Sequence, residues 1–246
     1  MEITAFVEVV AHEGALLAAA AEAAGTGAKV PTCPGWQVRD LLRHTGMVHR
    51  WATAFVSEGH TGPRPDGGLP ELDGTALVAW FREGHEQLVD ALADASPDLR
   101  CWHFLPAPSP LAFWARRQAH ETTVHRIDAE SARGGDPTGI GVAFAVDGID
   151  ELLCAFHARP KSAVRTEEPR TLRVRATDAP ASVWTVRLSA QPPVTERDDA
   201  GDADCELNGP AAQLYSALWN RRPFPEVTGD ASLAALWREK SGVTWN

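Results

Sequence analysis

The chain has 246 residues, a formal net charge of −10 and four cysteines, with 44% hydrophobic and 23% charged residues. This length accommodates one large domain or two small ones, and the composition is that of an ordinary globular protein. The acidic charge argues against nucleic-acid binding, which needs a basic surface. Four widely spaced cysteines argue against a disulfide framework and favour free thiols in a reducing cytoplasm, the predicted location.

The Ala-rich stretch 16–24 raises the question of a membrane or export segment. We find no run of about 18 apolar residues, so the sequence predicts no membrane span. Glu2, Glu8 and Glu13 precede the stretch where a signal peptide would carry a basic region. The sequence therefore favours no cleaved leader.

The first half of the chain combines good helix formers with apolar residues at spacings of three and four. Segments rich in Gly and Pro interrupt it and indicate loops. We therefore predict four long helices, at 3–24, 37–57, 75–95 and 111–132. The last is predicted to end before Gly134-Gly135, a helix-stop signal.

The second half changes character. Segments 171–176 and 183–188 alternate apolar and polar residues, which is typical of half-buried strands, and 205–208 is a third candidate. Helices are predicted at 142–157, 210–220 and 231–239. The fold class is thus a two-domain protein, with an all-α N-terminal domain at 1–137 and a small α+β C-terminal domain at 138–246.

Three residues of the predicted helices are spaced as metal ligands. Glu121 and His125 are four residues apart, so they lie about 40° apart on one helix face. On the second helix, His44 and His49 point in directions that differ by about 140°, and His44 shares the apolar stripe. Two histidines and a carboxylate with an open position suit a catalytic zinc or another first-row divalent ion. A helix-face ion pair or a satisfied core histidine is the alternative.

Four residues near the candidate ligands are not themselves predicted to bind the metal. His120 points about 100° away from Glu121 and is predicted to be a surface or supporting residue. His49 points about 140° away from His44, out of the predicted bundle interior, and is less favoured as a residue of the pocket. Asp128 has the spacing to accept a hydrogen bond from a ligand histidine, although a solvated helix carboxylate is the ordinary interpretation. Trp36 is interpreted as a core or helix-packing residue.

Two motifs carry a family resemblance. Residues 33–44, Cys-Pro-Gly-Trp-Gln-Val-Arg-Asp-Leu-Leu-Arg-His, resemble the N-terminal motif of the mycothiol-dependent maleylpyruvate isomerase family. Residues 117–128, Arg-Gln-Ala-His-Glu-Thr-Thr-Val-His-Arg-Ile-Asp, resemble its later helix motif. Weaker similarities at 145–153, 177–184 and 208–211 extend the resemblance over nearly the whole chain. It implies a DinB-like four-helix bundle carrying a zinc site, followed by an α+β domain similar to sterol-carrier proteins.

The resemblance also implies roles for particular residues. It implies that His44, Glu121 and His125 bind the metal and that a fourth position holds water or the thiol. It implies that the C-terminal domain closes over the bundle and contributes an arginine. Arg221 and Arg222 are the candidates, and Arg221 is favoured, with a solvated helix end as the alternative. The isomerases tend to carry a further histidine where this chain has Asp40, so the substrate is left open.

These features predict a zinc-dependent cytoplasmic enzyme that uses mycothiol as a cosubstrate. A thiol held by the metal would lose its proton and add to a small electrophile, giving isomerisation or S-transfer. Either arginine has the chemistry to hold a substrate carboxylate. The alternatives are a hydrolase that uses metal-bound water and a non-catalytic metal-binding module. The predicted partners are the electrophile and the thiol, without nucleic acid or membrane, in a monomer or homodimer.

Overall fold

The computed structural model describes residues 1–243 of the chain. By its internal contacts the chain divides into two compact units, Met1–Thr138 and Gly139–Asn246. The first unit is helical. Its four helices agree with the predicted ones to within one residue at each end: α1 Ile3–Ala24, α2 Val38–Glu58, α3 Gly74–Asp94 and α4 Pro110–Arg133.

Side chains fix where these helices begin. Asp73 accepts a hydrogen bond from the Gly74 amide before α3, and Ser109 Oγ accepts one from the Ala112 amide at 3.1 Å before α4. At the start of α2, Asp40 Oδ2 accepts the Gln37 amide at 2.9 Å as part of a capping box. Asp40 thus has a structural task in this chain, and α2 starts at a defined residue.

The bundle packs around α4, which is buried along most of its length. Helix α1 packs against α3 and α4, and α2 packs against the same two helices. The charged side chain of Arg126 is fully buried, and its guanidinium donates to Glu13 of α1 and to Glu130, each at 2.7 Å. A buried charge without such partners would be costly, so this network fixes α1 against α4.

Helix α1 combines length with high mean hydropathy. By length and composition it is sufficient to cross a membrane, and it is the one such helix within residues 1–243. It still contains no run of about 18 apolar residues, because Glu8, His12 and Glu13 interrupt it, and the expectation of no membrane span stays a prediction. In the structure Val10, Leu17 and Ala21 are fully buried against the other helices. A helix that supplies a protein core passes the same test of length and hydropathy.

The second unit contains a five-stranded sheet in the order β3-β2-β1-β4-β5. Strand β1 runs antiparallel to β2 and parallel to β4, with Val174 opposite Trp184 on one side and Leu207 on the other. The strands are β1 Arg170–Ala176, β2 Val183–Leu188, β3 Val194–Glu196, β4 Cys205–Gly209 and β5 Glu226–Gly229. Three of them match predicted strands, whereas β3 and β5 were missed because they are short, largely exposed edge strands.

Three helices complete this unit. Helix α5 spans Val142–Asp150 and continues as a π-helical turn, Glu151–Phe156, so the single helix predicted at 142–157 changes its winding within that range. Helix α6, Ala211–Leu218, packs against α5 and against β1 and β4. Helix α7, Ala231–Lys240, contributes the fully buried Trp237.

Candidate metal centre

The three predicted ligands meet between α2 and α4. His44 Nε2 lies 3.3 Å from Glu121 Oε1, and His125 Nε2 lies 3.1 Å from the same oxygen. One ligand atom from each residue lies within 4.8 Å of the other two. The capping box sets the start of α2, and the four-residue spacing aligns the two α4 side chains, so the convergence follows from two helix registers.

The donor set fits a small divalent cation. Two imidazole nitrogens and one carboxylate oxygen form the ligand set typical of catalytic zinc, which keeps a further position open. Glu121 and His125 are buried, whereas the His44 side chain keeps 17% of its surface exposed. The cluster is therefore enclosed by protein on one side and accessible on the side of His44.

The electrostatics of the cluster are dominated by its carboxylates. Burial alone would lower the pKa of His125, but the neighbouring Glu121 and Asp128 raise it to about 9. Burial would raise the pKa of Glu121, yet His125, His44 and Arg117 together hold it well below its usual range. Without a metal, the proton on His125 balances the Glu121 carboxylate. A cation bound at Nε2 would take the place of that proton.

Two side chains surround His125 on its other faces. Asp128 is fully buried, and its Oδ2 lies 3.0 Å from His125 Nδ1. The solvated carboxylate expected from the sequence is thus wrong, and the hydrogen bond to His125, the alternative, is the arrangement found. The indole of Trp36 lies parallel to the His125 ring at 6.3 Å and edge-on to the His44 ring at 5.3 Å. Trp36 packs against the core, as expected, and also flanks the candidate centre.

Two histidines lie in the interior, which contradicts the outward position expected for His49 and excludes the surface alternative for His120 but not its supporting one. His49 is fully buried, and its Nε2 lies 3.0 Å from Thr122 Oγ1, with the His85 ring 5.7 Å away. His120 is also fully buried, with its ring 6.1 Å from that of Phe6. The angle between two residues on a helix shows that their side chains point in different directions. In a four-helix bundle, however, a side chain that points away from one neighbouring helix can point toward another.

The two candidate arginines follow α6 in the second unit. Trp219 caps that helix, and Asn220, the next residue, has a left-handed conformation with φ of 64°. Arg221 is half-buried, and its guanidinium donates to the Trp219 carbonyl at 2.7 Å. Arg222 is exposed, and its carbonyl accepts a hydrogen bond from Arg238 at 2.9 Å. A catalytic role for either arginine stays a prediction.

Comparisons with known proteins identify the family. The family model described as "Mycothiol maleylpyruvate isomerase N-terminal domain" matches residues 7–130, half of the chain. The chain belongs to the mycothiol-dependent maleylpyruvate isomerase family. The model of the family's C-terminal domain matches residues 143–236. Membership confirms the resemblance inferred from the two motifs. No protein of curated function matches the chain in sequence.

Solved structures of the family share the fold. A crystal structure of the mycothiol-dependent maleylpyruvate isomerase aligns with a TM-score of 0.64 and 14% identity, over 93% of this chain and 92% of that one. The structure of a histidine-to-alanine mutant of that isomerase aligns with a TM-score of 0.62 and 13% identity, over 89% and 90%. The predicted fold class, a helical bundle followed by a small mixed α+β unit, is confirmed.

Proposed function

We propose that this protein is a metal-dependent enzyme that uses mycothiol to isomerise or conjugate a small electrophile. The observation that carries the proposal is the meeting of His44, Glu121 and His125 beside an accessible face of the bundle. Family membership supports a mycothiol-dependent reaction. We assign the three residues as metal ligands, with zinc as the best fit to the donor set.

The protein's contribution is to hold and enclose the reacting groups. When bound, a divalent metal supplies positive charge that lowers the pKa of a thiol in its open position, so that the thiolate forms near neutral pH. His44, Glu121 and His125 supply two neutral donors and one negative one, which leaves a net positive centre. The Trp36 indole, beside both histidines, shields one side from water.

The proposed reaction begins with addition of the thiolate to an electrophilic carbon conjugated to a carbonyl group. A carbon–sulfur bond forms, and the electron pair of the double bond moves toward the carbonyl. Rotation about the resulting single bond and departure of the thiolate give the isomer, with no net oxidation. If the carbanion instead takes up a proton equivalent to the one that the thiol released, the conjugate is the product, and the reaction is an S-transfer.

Further assignments belong to the same proposal. Arg221, or less favourably Arg222, holds a substrate carboxylate through a bidentate contact. Residues 1–137 and 138–246 are separate domains of one cytoplasmic protein, acting as a monomer or homodimer. Its partners are small molecules, the thiol and the electrophile.

The test uses zinc-loaded full-length protein, mycothiol and a panel of unsaturated carbonyl electrophiles, with products identified by mass and by cis–trans separation. We expect turnover that needs both the metal and the thiol. Metal-dependent turnover without any thiol would indicate a hydrolase. Metal binding without turnover, combined with thermal unfolding that shifts strongly on chelation, would indicate a structural metal module. The matched control is the same assay with His44→Ala, in which we expect no activity.

A further inference from the structure

The ring nitrogen of His125 that faces away from the cluster leads into a chain of hydrogen bonds. His125 Nδ1 lies 3.0 Å from Asp128 Oδ2, and the other oxygen of that carboxylate, Oδ1, accepts a hydrogen bond from Thr32 Oγ1 at 2.6 Å. Thr32 Oγ1 also lies 3.1 Å from Ser131 Oγ. One oxygen of the Asp128 carboxylate therefore contacts the histidine, and the other contacts the threonine.

The position of Thr32 makes this contact unusual. Thr32 lies in the connector between α1 and α2, 96 residues from Asp128 in sequence, in the segment that also carries Trp36. The connector is held by its own backbone, since the Cys33 amide donates to the Val30 carbonyl and the Trp36 amide to the Cys33 carbonyl. A single connector thus contacts the candidate centre twice, through Trp36 directly and through Thr32 by way of Asp128.

We propose that Thr32, acting through Asp128, is a positioning residue that fixes the tautomer and the orientation of His125. This inference rests on the proposed metal site. A carboxylate that accepts from Nδ1–H keeps the proton on that nitrogen and leaves the Nε2 lone pair directed at Glu121 and His44. The short hydrogen bond from Thr32 holds Asp128 in the rotamer that reaches His125. Without it, the fully buried carboxylate loses one of the hydrogen bonds that orient it.

The consequence is a metal affinity that depends on a residue of the connector. Supporting carboxylates of ligand histidines commonly contribute 10- to 100-fold to metal affinity. We expect that range for Asp128→Asn, which removes the charge but keeps the size. For Thr32→Val, which removes only one hydroxyl, we expect affinity about fivefold weaker, the equivalent of one ordinary hydrogen bond. Thr32→Ser keeps the hydroxyl and should bind as the wild type does.

The experiment measures the zinc dissociation constant of full-length protein by competition with a chromogenic chelator. The matched control is Thr53→Val, because the Thr53 hydroxyl donates to a carbonyl of its own helix, that of His49, at 2.9 Å. Thermal unfolding of the metal-free variants runs in parallel. A merely structural role for Thr32 would lower the metal-free melting temperature and leave the zinc affinity of the folded protein unchanged.

Support requires the order wild type and Thr32→Ser, then Thr32→Val, then Asp128→Asn, from tightest to weakest, with Thr53→Val at the wild-type value. Equal zinc affinity in wild type, Thr32→Val and Asp128→Asn overturns the positioning role of Thr32 and Asp128, while the proposed metal site stands. Failure of the wild type to bind zinc at all overturns the proposed function, and this inference with it.

Discussion

Two groups of histidines bridge the same pair of helices and behave in opposite ways. In the candidate metal centre, His125 of α4 lies between Glu121 and Asp128, and its pKa is raised to about 9. His49 lies about one and a half turns after His44 on α2. It contacts Thr122 of α4 and lies beside His85 of α3, and its pKa is held well below the usual value. Both histidines are buried.

The difference lies in the neighbouring charges. Burial by itself would lower the pKa of both rings, because it disfavours the charged form. Two carboxylates overcome that penalty at His125, whereas at His49 the nearby His85 adds to it. The first region is built to hold a positive charge and so suits a cation. The second behaves as an apolar core that happens to contain imidazole rings.

The largest effect should come from removing a proposed metal ligand in the first region. In His125→Ala we expect zinc binding and thiol-dependent activity to be lost, because two ligands remain. The helices should survive, since the buried apolar side chains supply most of the stability of the bundle. Metal content and circular dichroism of the same sample decide this. The exposed His12→Ala is the matched control. An unfolded mutant would indicate a structural metal, and a folded, metal-loaded, active one would remove His125 from the site.

A second test extends the comparison to a neutral buried histidine of the other unit. Burial lowers the pKa of His157 to about 4, with Arg159 adding to the effect. Above pH 6.5 the ring is neutral in both folded and unfolded chains. As pH falls from 6.5 to 4, only the unfolded chain takes up the proton, so the free energy of unfolding should fall, by up to about 3 kcal/mol.

His157→Gln should remove this part of the pH dependence, as measured by urea unfolding at several pH values between 4 and 7. His12→Gln serves as the exposed control. An unchanged slope in His157→Gln would show that other groups cause the loss of stability in acid.

A third test probes how tightly the second histidine region is packed. A Cβ atom added at Gly14 would lie 2.2 Å from the His85 ring, whose Nε2 lies 2.9 Å from the Val10 carbonyl. The ring would have to move and lose that hydrogen bond, so Gly14→Ala should destabilise the protein by about 2 kcal/mol. Thermal unfolding measures the effect. Gly67→Ala, where a Cβ meets nothing within 4 Å, is the control and should change little.

The smallest expected effect concerns the helix that carries both His44 and His49. Asp40→Ala removes the carboxylate that accepts the Gln37 amide, and we expect a loss of about 1 kcal/mol in the free energy of unfolding. Zinc affinity should weaken only slightly, because the later turns of α2 keep their packing. A loss of zinc binding as large as in His125→Ala would show that the capping box fixes His44 directly.

Local sequence determined a large part of this molecule. Helix bounds follow from apolar spacing and from capping residues such as Asp73 and Ser109, all of which act within a few residues of each other. The same short range places Glu121 and His125 on one face and makes β1 and β2 recognisable by alternation. Local patterns also gave the fold class, an all-α domain followed by a small α+β domain, and the family motifs at 33–44 and 117–128 added the expected type of each domain.

Tertiary structure decided which faces meet. Helix α4 is buried on nearly every side, so its sequence has no polar face to show that Asp128 and His120 point inward. The Thr32–Asp128 hydrogen bond joins residues 96 apart, and no local pattern encodes such a contact. Strands β3 and β5 exist because β2 and β4 offer them unpaired edges. In each case the arrangement is stabilised by a contact between segments that are distant in sequence. Such a contact forms only when the chain has folded.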